Sequence, residues 1–192
     1  MQFNRNLIAL VATGIFATAS MAMTPAEHSA AKDRISADYK ASKAQCDAMN
    51  GNAKDICKKQ AEGHEKVAKA ELEAQYKPTD KAHYNVRKAK ADADYEVAKE
   101  KCDDLSGNAK DVCKKDAKAA HVTAVENAKV AQAQAKPADT PAEKKADVAE
   151  AKKDAAEEKR EANYKAAKER CDTLSGDAQS KCVDDAKRMY AQ

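Results

Sequence analysis

The sequence predicts an all-α protein made of three disulfide-stapled antiparallel αα-hairpins, coiled-coil-like in their seams and either elongated or loosely bundled. Three observations carry this expectation. The residues are dominated by alanine, lysine and acidic side chains, which favour helix, while bulky apolar residues are scarce. Glycine and proline occur only at widely spaced points, where they punctuate. A dodecamer closed by cysteines occurs three times, as "CDAMNGNAKDIC" (Cys46–Cys57), "CDDLSGNAKDVC" (Cys102–Cys113) and "CDTLSGDAQSKC" (Cys171–Cys182).

Residues 1–22 read as a cleaved signal peptide. Arg5 supplies the positive start, "LIALVATGIFATA" the apolar core, and Ser20 and Ala22 the small residues before a cleavage site, with Met23 as the expected first mature residue. The apolar run is shorter than the roughly 18 residues a membrane span needs. No cysteine follows it for a lipid anchor. A chain exported in this way is expected in the periplasm, with no membrane span in its mature part.

Beyond that segment the chain has seventeen large aliphatic residues: three leucines, two isoleucines, nine valines and three methionines. Burying a Leu or Val side chain yields roughly 1.5–3 kcal/mol, and ordering each residue costs about 1–2 kcal/mol. An ordinary globular core is therefore not available. Amphipathic helices pairing along narrow seams, locked by cross-links, are the economical alternative.

The first hairpin repeat spans 23–78, with helices expected over 27–50 and 52–76 and a stop at "YKPTD". The second spans 79–136, with helices over 80–106 and 108–135. A Pro-containing linker, 137–141, separates it from the third, 142–192, with helices over 142–175 and 177–190. Pro78, Pro137 and Pro141 fall between repeats and never inside them, as expected of residues that cannot continue a helix. A tyrosine precedes the first cysteine of each dodecamer by seven residues: Tyr39, Tyr95 and Tyr164. Seven residues are two helical turns, so tyrosine and cysteine share a face. Ile35, Tyr39, Ser42, Cys46 and Met49 continue that seam at alternating spacings of four and three, the pattern by which one helix pairs with another.

Inside the dodecamer, Gly51, Gly107 and Gly176 are placed to take the left-handed conformation that stops a helix. Asn52, Asn108 and Asp177 follow as candidate caps of the next helix. The first cysteine lies five residues before the glycine and the second six after it, so the two face each other across an antiparallel hairpin. An even number of cysteines in an exported chain favours disulfides, here paired Cys46–Cys57, Cys102–Cys113 and Cys171–Cys182. Two sharper readings compete. His64 and His121 lie seven and eight residues after Cys57 and Cys113, so a Cys₂His site for a soft metal such as Cu(I) is conceivable. The third repeat has no such histidine, and zinc sites usually pair cysteines two to four residues apart. A thioredoxin-like redox centre needs a C-x-x-C motif near a βαβ pattern, and neither is present. The expectation is no metal and no cofactor.

Balanced charge narrows the function classes further. Thirty-five Lys+Arg stand against 32 Asp+Glu. Both signs alternate within every segment, as in solvated helices laced with i, i+4 pairs. A basic face for nucleic acid is absent. His28, His64, His83 and His121 are scattered and accompany no nucleophile motif, so no enzyme is expected.

The stretches "DADYEVAKEKCDDLSGNAKDVCKKDAKAA" and "NYKAAKERCDTLSGDAQSKC" resemble a family of small exported Gram-negative proteins of uncharacterised activity, sometimes labelled TolA-like cell-envelope proteins. The resemblance covers nearly the whole mature chain and rests on the repeated Tyr-x₆-Cys-Asp-x₂-Ser-Gly-Asn-Ala-Lys-Asp-x-Cys pattern. The first copy departs from it at Asn50, and the third at Asp177-Ala178-Gln179-Ser180. TolA's spanning anchor and globular C-terminal domain have no counterpart in the sequence. The resemblance implies a periplasmic helical protein of the cell envelope. Its expected partner is an envelope protein, or a second copy joined through the helical seams. A hydrophilic osmotic- or desiccation-stress protectant is the alternative function, followed by a soft-metal buffer.

Overall fold

A computed structural model describes residues 23–191; the expected signal peptide lies outside the described residues. Six α-helices and no strand occur among them: α1 (Pro25–Cys46), α2 (Gly51–Tyr76), α3 (Asp80–Lys101), α4 (Gly107–Ala135), α5 (Pro141–Cys171) and α6 (Gly176–Tyr190). The all-helical, three-hairpin expectation holds.

Helix starts divide into two kinds. The odd-numbered helices begin at a threonine whose hydroxyl accepts from a first-turn backbone N–H: Thr24 from Glu27 at 3.2 Å, Thr79 from Ala82 at 3.0 Å and Thr140 from Glu143 at 3.1 Å. At Thr24 the Glu27 carboxylate reaches back to the Thr24 N–H at 2.8 Å, completing a capping box, and Pro25 occupies the first helical position. The even-numbered helices have no side-chain cap. Each opens instead on a glycine with φ near +60°: Gly51 at 58°, Gly107 at 56° and Gly176 at 59°.

This alters the expected turn. The glycine is left-handed, but it opens the second helix of each hairpin rather than ending the first. Asn52, Asn108 and Asp177 then fall inside the first turn and do not act as caps. α1 and α5 stop at Cys46 and Cys171, and α3 passes into a 3₁₀ turn at Cys102–Asp104. The stop has the same closure each time: Met49, Leu105 and Leu174 N–H groups donate to the carbonyls of Cys46, Cys102 and Cys171 at 3.0, 3.0 and 2.9 Å. The physical reason is the width of a helix pair. Crossing roughly 8–10 Å between axes requires several non-helical residues, and one glycine cannot span it.

Substantial packing joins only helices consecutive in the chain, so the six form a row of alternating direction. α1 and α2 meet at one end through the Cys46–Cys57 disulfide and at the other through His28, whose ring stacks on Tyr76 at 4.2 Å. The repeats are not separate hairpins strung on linkers. Across the first junction Lys90 pairs with Glu71 at 2.7 Å, and Asn52 Nδ2 donates to the Glu100 carbonyl at 2.9 Å. Across the second, Lys159 donates to Asn127 at 2.6 Å, and Lys144 caps the end of α4 by donating to the Ala133 carbonyl at 3.0 Å.

The core is thin, as the composition requires. Its fully buried side chains go no larger than Cys46, Cys102 and Cys171. Around them lie alanines, with Leu72 and the carboxylate of Glu126, which accepts from Lys129 at 2.7 Å. Small residues let the helices approach closely. Gly63 on α2 is buried against Ala93 on α3, so near that a β-carbon at 63 would lie 2.7 Å from that of Ala93.

Candidate functional site: the hairpin turns and histidine seams

All six cysteines are in disulfides: Cys46–Cys57, Cys102–Cys113 and Cys171–Cys182. Their Cα separations of 5.5, 5.6 and 5.6 Å match the ordinary span of such a bridge. The sulfurs are thereby withdrawn from the Cys₂His arrangement considered for His64 and His121. His121 is committed elsewhere, and His64 is exposed at the rim of a recess lined by Ile35 and Tyr39. Among the described residues no three His, Cys, Asp or Glu side chains converge as metal ligands.

Each disulfide is flanked by a polar clasp that sequence reasoning missed. Asp47 accepts ion pairs from Lys54 at 3.3 Å and Lys58 at 3.4 Å. Asp103 does the same with Lys110 and Lys114, both at 2.8 Å. Hydrogen bonds from Lys110 and then Lys114 lower the Asp103 carboxyl to about 2, and those from Lys54 and Lys58 lower Asp47. The third copy keeps the aspartate but answers it with an amide, Gln179 Nε2 donating to Asp172 at 3.0 Å. The signal was present in the sequence: an aspartate directly after the first cysteine, with lysines seven and eleven residues on in the first two copies.

Two of the four histidines lie in the seams with their rings largely covered. His28 Nε2 lies 3.0 Å from Glu73 and its ring stacks on Tyr76. His121 Nε2 lies 2.7 Å from Asp92, and its ring leans on Tyr95 at 4.8 Å between centroids. In both, one helix supplies a carboxylate and a tyrosine three residues apart, and its neighbour supplies the histidine. Burial raises the Asp92 carboxyl, but hydrogen bonds from Lys88 and His121 outweigh that and hold it below its ordinary value. A carboxylate only accepts, so His121 Nε2–H donates. Its Nδ1 is buried without a hydrogen-bond partner.

Of the three predicted seam tyrosines, Tyr95 sits deepest in contacts, under His121 and beneath the ammonium groups of Lys118 and Lys99 at 5.4 and 5.8 Å. Tyr39 faces the His64 recess and carries Lys43 at 5.7 Å. Tyr164 is half-buried on α5. A recess of about 650 Å³ lies between the start of α3, the end of α4 and the first half of α5. Lys129, Lys136, Asp147 and Asp154 line it with mixed charge. No helix among the described residues is long and apolar enough to cross a membrane. Comparison with protein-family models, with curated proteins and with solved structures finds no match for this chain.

Proposed function

We propose that this chain is a non-enzymatic helical repeat protein of the periplasm, acting as an interaction or structural element of the cell envelope. The observation that carries this reading is the disulfide-stapled row itself. Six helices are held in fixed order by three cross-links and by inter-repeat contacts, with almost no interior. Such a molecule offers extended surfaces and little enclosed volume, as repeat proteins that bind along their faces do. Disulfides are characteristic of oxidising compartments, in keeping with the signal-peptide reading of residues 1–22 and the resemblance to TolA-like envelope proteins. The test is cross-linking in intact cells followed by thiol counting and peptide mapping of the isolated protein. Three local disulfides and cross-links to envelope proteins support the reading, and no cross-link above background refutes it.

The stress-protectant alternative predicts a chain that is coil until dried. The circular dichroism of oxidised protein in dilute buffer separates the two, strong helicity favouring the interaction element. The soft-metal alternative predicts free thiols and stoichiometric copper or zinc in the isolated protein.

A further inference from the structure

Because the helices alternate in direction, the three disulfide turns share one edge, and the row ends sideways at α1 and α6. The two seams that join the repeats have one design. Twelve residues before the first cysteine of their dodecamers stand Lys90 on α3 and Lys159 on α5, nine before stand Ala93 and Ala162, and five before stand Val97 and Ala166. This face receives the preceding helix. Lys90 pairs with Glu71, Lys159 donates to Asn127, Ala93 meets Gly63, and Ala166 is buried. Glu96, six before the cysteine, pairs with Lys59 at 3.9 Å. The same positions on α1 are Arg34, Ala37, Lys40 and Ala41, with Ala30 in line with the buried Ala155 of α5. All five are exposed. α1 packs on α2 through its other side, at His28 and Cys46, and among the described residues no helix covers this one.

The other end of the row is closed. Six residues after the second cysteine, α2 has the buried Gly63 and α4 the buried Ala119. The equivalent on α6 is Arg188, exposed and paired with Asp185. Asp177, Lys181 and Asp184 are exposed on the same helix. A head-to-tail chain of copies would set α6 against α1, with a guanidinium where the inner seams hold a glycine or a methyl group. Repeat arrays end on polar outer faces of this kind. The seam left open is that of α1.

We propose that two copies of this chain pair through their α1 helices, antiparallel and in full overlap, about a two-fold axis. One support is continuity, since α1 repeats the face through which α3 and α5 join their neighbours. The other is charge. Asp33, Arg34, Asp38 and Lys40 are exposed and take no ion pair among the described residues, whereas Lys90 and Glu96, the α3 equivalents of Arg34 and Lys40, both pair across their seam. Laid antiparallel over Pro25–Cys46, two α1 helices set Ala30 opposite Ala41, and Arg34 opposite Ala37, of the second copy. Asp33 then lies beside Lys40, and Arg34 beside Asp38, of the second copy, and the two-fold axis repeats each pair. A parallel pair would instead bring Arg34 to Arg34 and Asp33 to Asp38, joining like charges. Flanking charges set partner and orientation in this way where helices pair along narrow seams. The inference rests on the interaction reading above and names one of its partners.

Sedimentation equilibrium of the isolated oxidised protein over a concentration series tests it. A reversible dimer is expected, weakened about fivefold or more by Lys40→Glu and restored to within about twofold by Asp33→Lys/Lys40→Glu, at unchanged helicity. Asp184→Lys, on α6, should leave the dimer as it is. A monomer at every concentration, a dimer indifferent to Lys40→Glu, or a double variant without rescue overturns the proposal. Weakening by Asp184→Lys overturns it too, by placing the contact at α6. In cells, a photo-cross-linking amino acid at Ala37 should capture α1 of a second copy, and capture of α6 there counts against the proposal. A chain that sediments as a monomer but is captured with other envelope proteins, from Ala37 or any other site, overturns the proposal and spares the interaction reading. A monomer with no capture from any site refutes both.

Discussion

Gly63→Ala is the sharpest probe of how the repeats are joined. The added β-carbon would lie 2.7 Å from the Ala93 β-carbon and 3.4 Å from its Cα. Two apolar carbons settle at about 3.5–4.0 Å, and neither side chain has a rotamer with which to move aside. α2 and α3 must therefore separate by about 1 Å at their closest point. Overpacking of this kind costs about 1–3 kcal/mol. Replacing glycine by alanine inside a helix returns about 1 kcal/mol, so the net expected loss is up to about 2 kcal/mol. Moving the methyl group across the interface separates the two terms. Ala93→Gly alone loses about 1 kcal/mol of helix propensity, but the double variant Gly63→Ala/Ala93→Gly restores the total and should return close to wild type. The expected coupling is about 1–3 kcal/mol in a double-mutant cycle. Urea unfolding of the oxidised proteins, followed by helical circular dichroism, reads it. A Gly63→Ala protein stabilised by the full propensity gain, with no coupling to Ala93, would refute the close approach of α2 to α3.

The turns yield three further expectations. Cys102→Ser/Cys113→Ser opens a loop of twelve residues and should lose about 3 kcal/mol in the chain-entropy model, measured against the wild-type protein in the same urea series. At Gly107 no atom lies within 4 Å of an added β-carbon, so Gly107→Ala tests backbone conformation alone. At φ 56° it should lose about 1–2 kcal/mol, and Gly107→Asn, which tolerates the left-handed region, should lose less; equal losses would be inconsistent with the φ assigned. Asp103, lowered from 3.8 to about 2 by Lys110 and Lys114, contributes stability that is fully present above its unfolded value and is lost as pH falls through about 2. An NMR titration of the Asp103 carboxyl should show that low midpoint, and it should move up in Lys110→Met/Lys114→Met. A midpoint near 4 in the wild type would dissolve the clasp.

Helix content, the order of the hairpins and the cysteine pairing were legible in the sequence because each depends on local chemistry. Alanine and lysine favour helix wherever they stand, proline and glycine interrupt it by their own dihedral limits, and cysteines eleven residues apart around a turn can reach only each other. The threonine caps at Thr24, Thr79 and Thr140 were equally local, with Pro or Asp following each. The role of Asn52 was not legible, because its partner, the Glu100 carbonyl, is 48 residues away. Nor was the purpose of Gly63, the one glycine outside the signal segment that lies away from a turn. Its lost side chain is explained only by Ala93 on the next repeat. The histidine seams failed for a related reason. Carboxylate and tyrosine share one helix, but the histidine arrives from another, and which histidine arrives depends on how two helices slide along each other. By itself, then, the sequence determined that this protein is three stapled helical hairpins. Only the tertiary structure decided that they form one continuous row with all three turns at one edge, because that outcome rests on contacts of glycine, alanine and paired charges between repeats, and those residue types fit many registers until packing selects one.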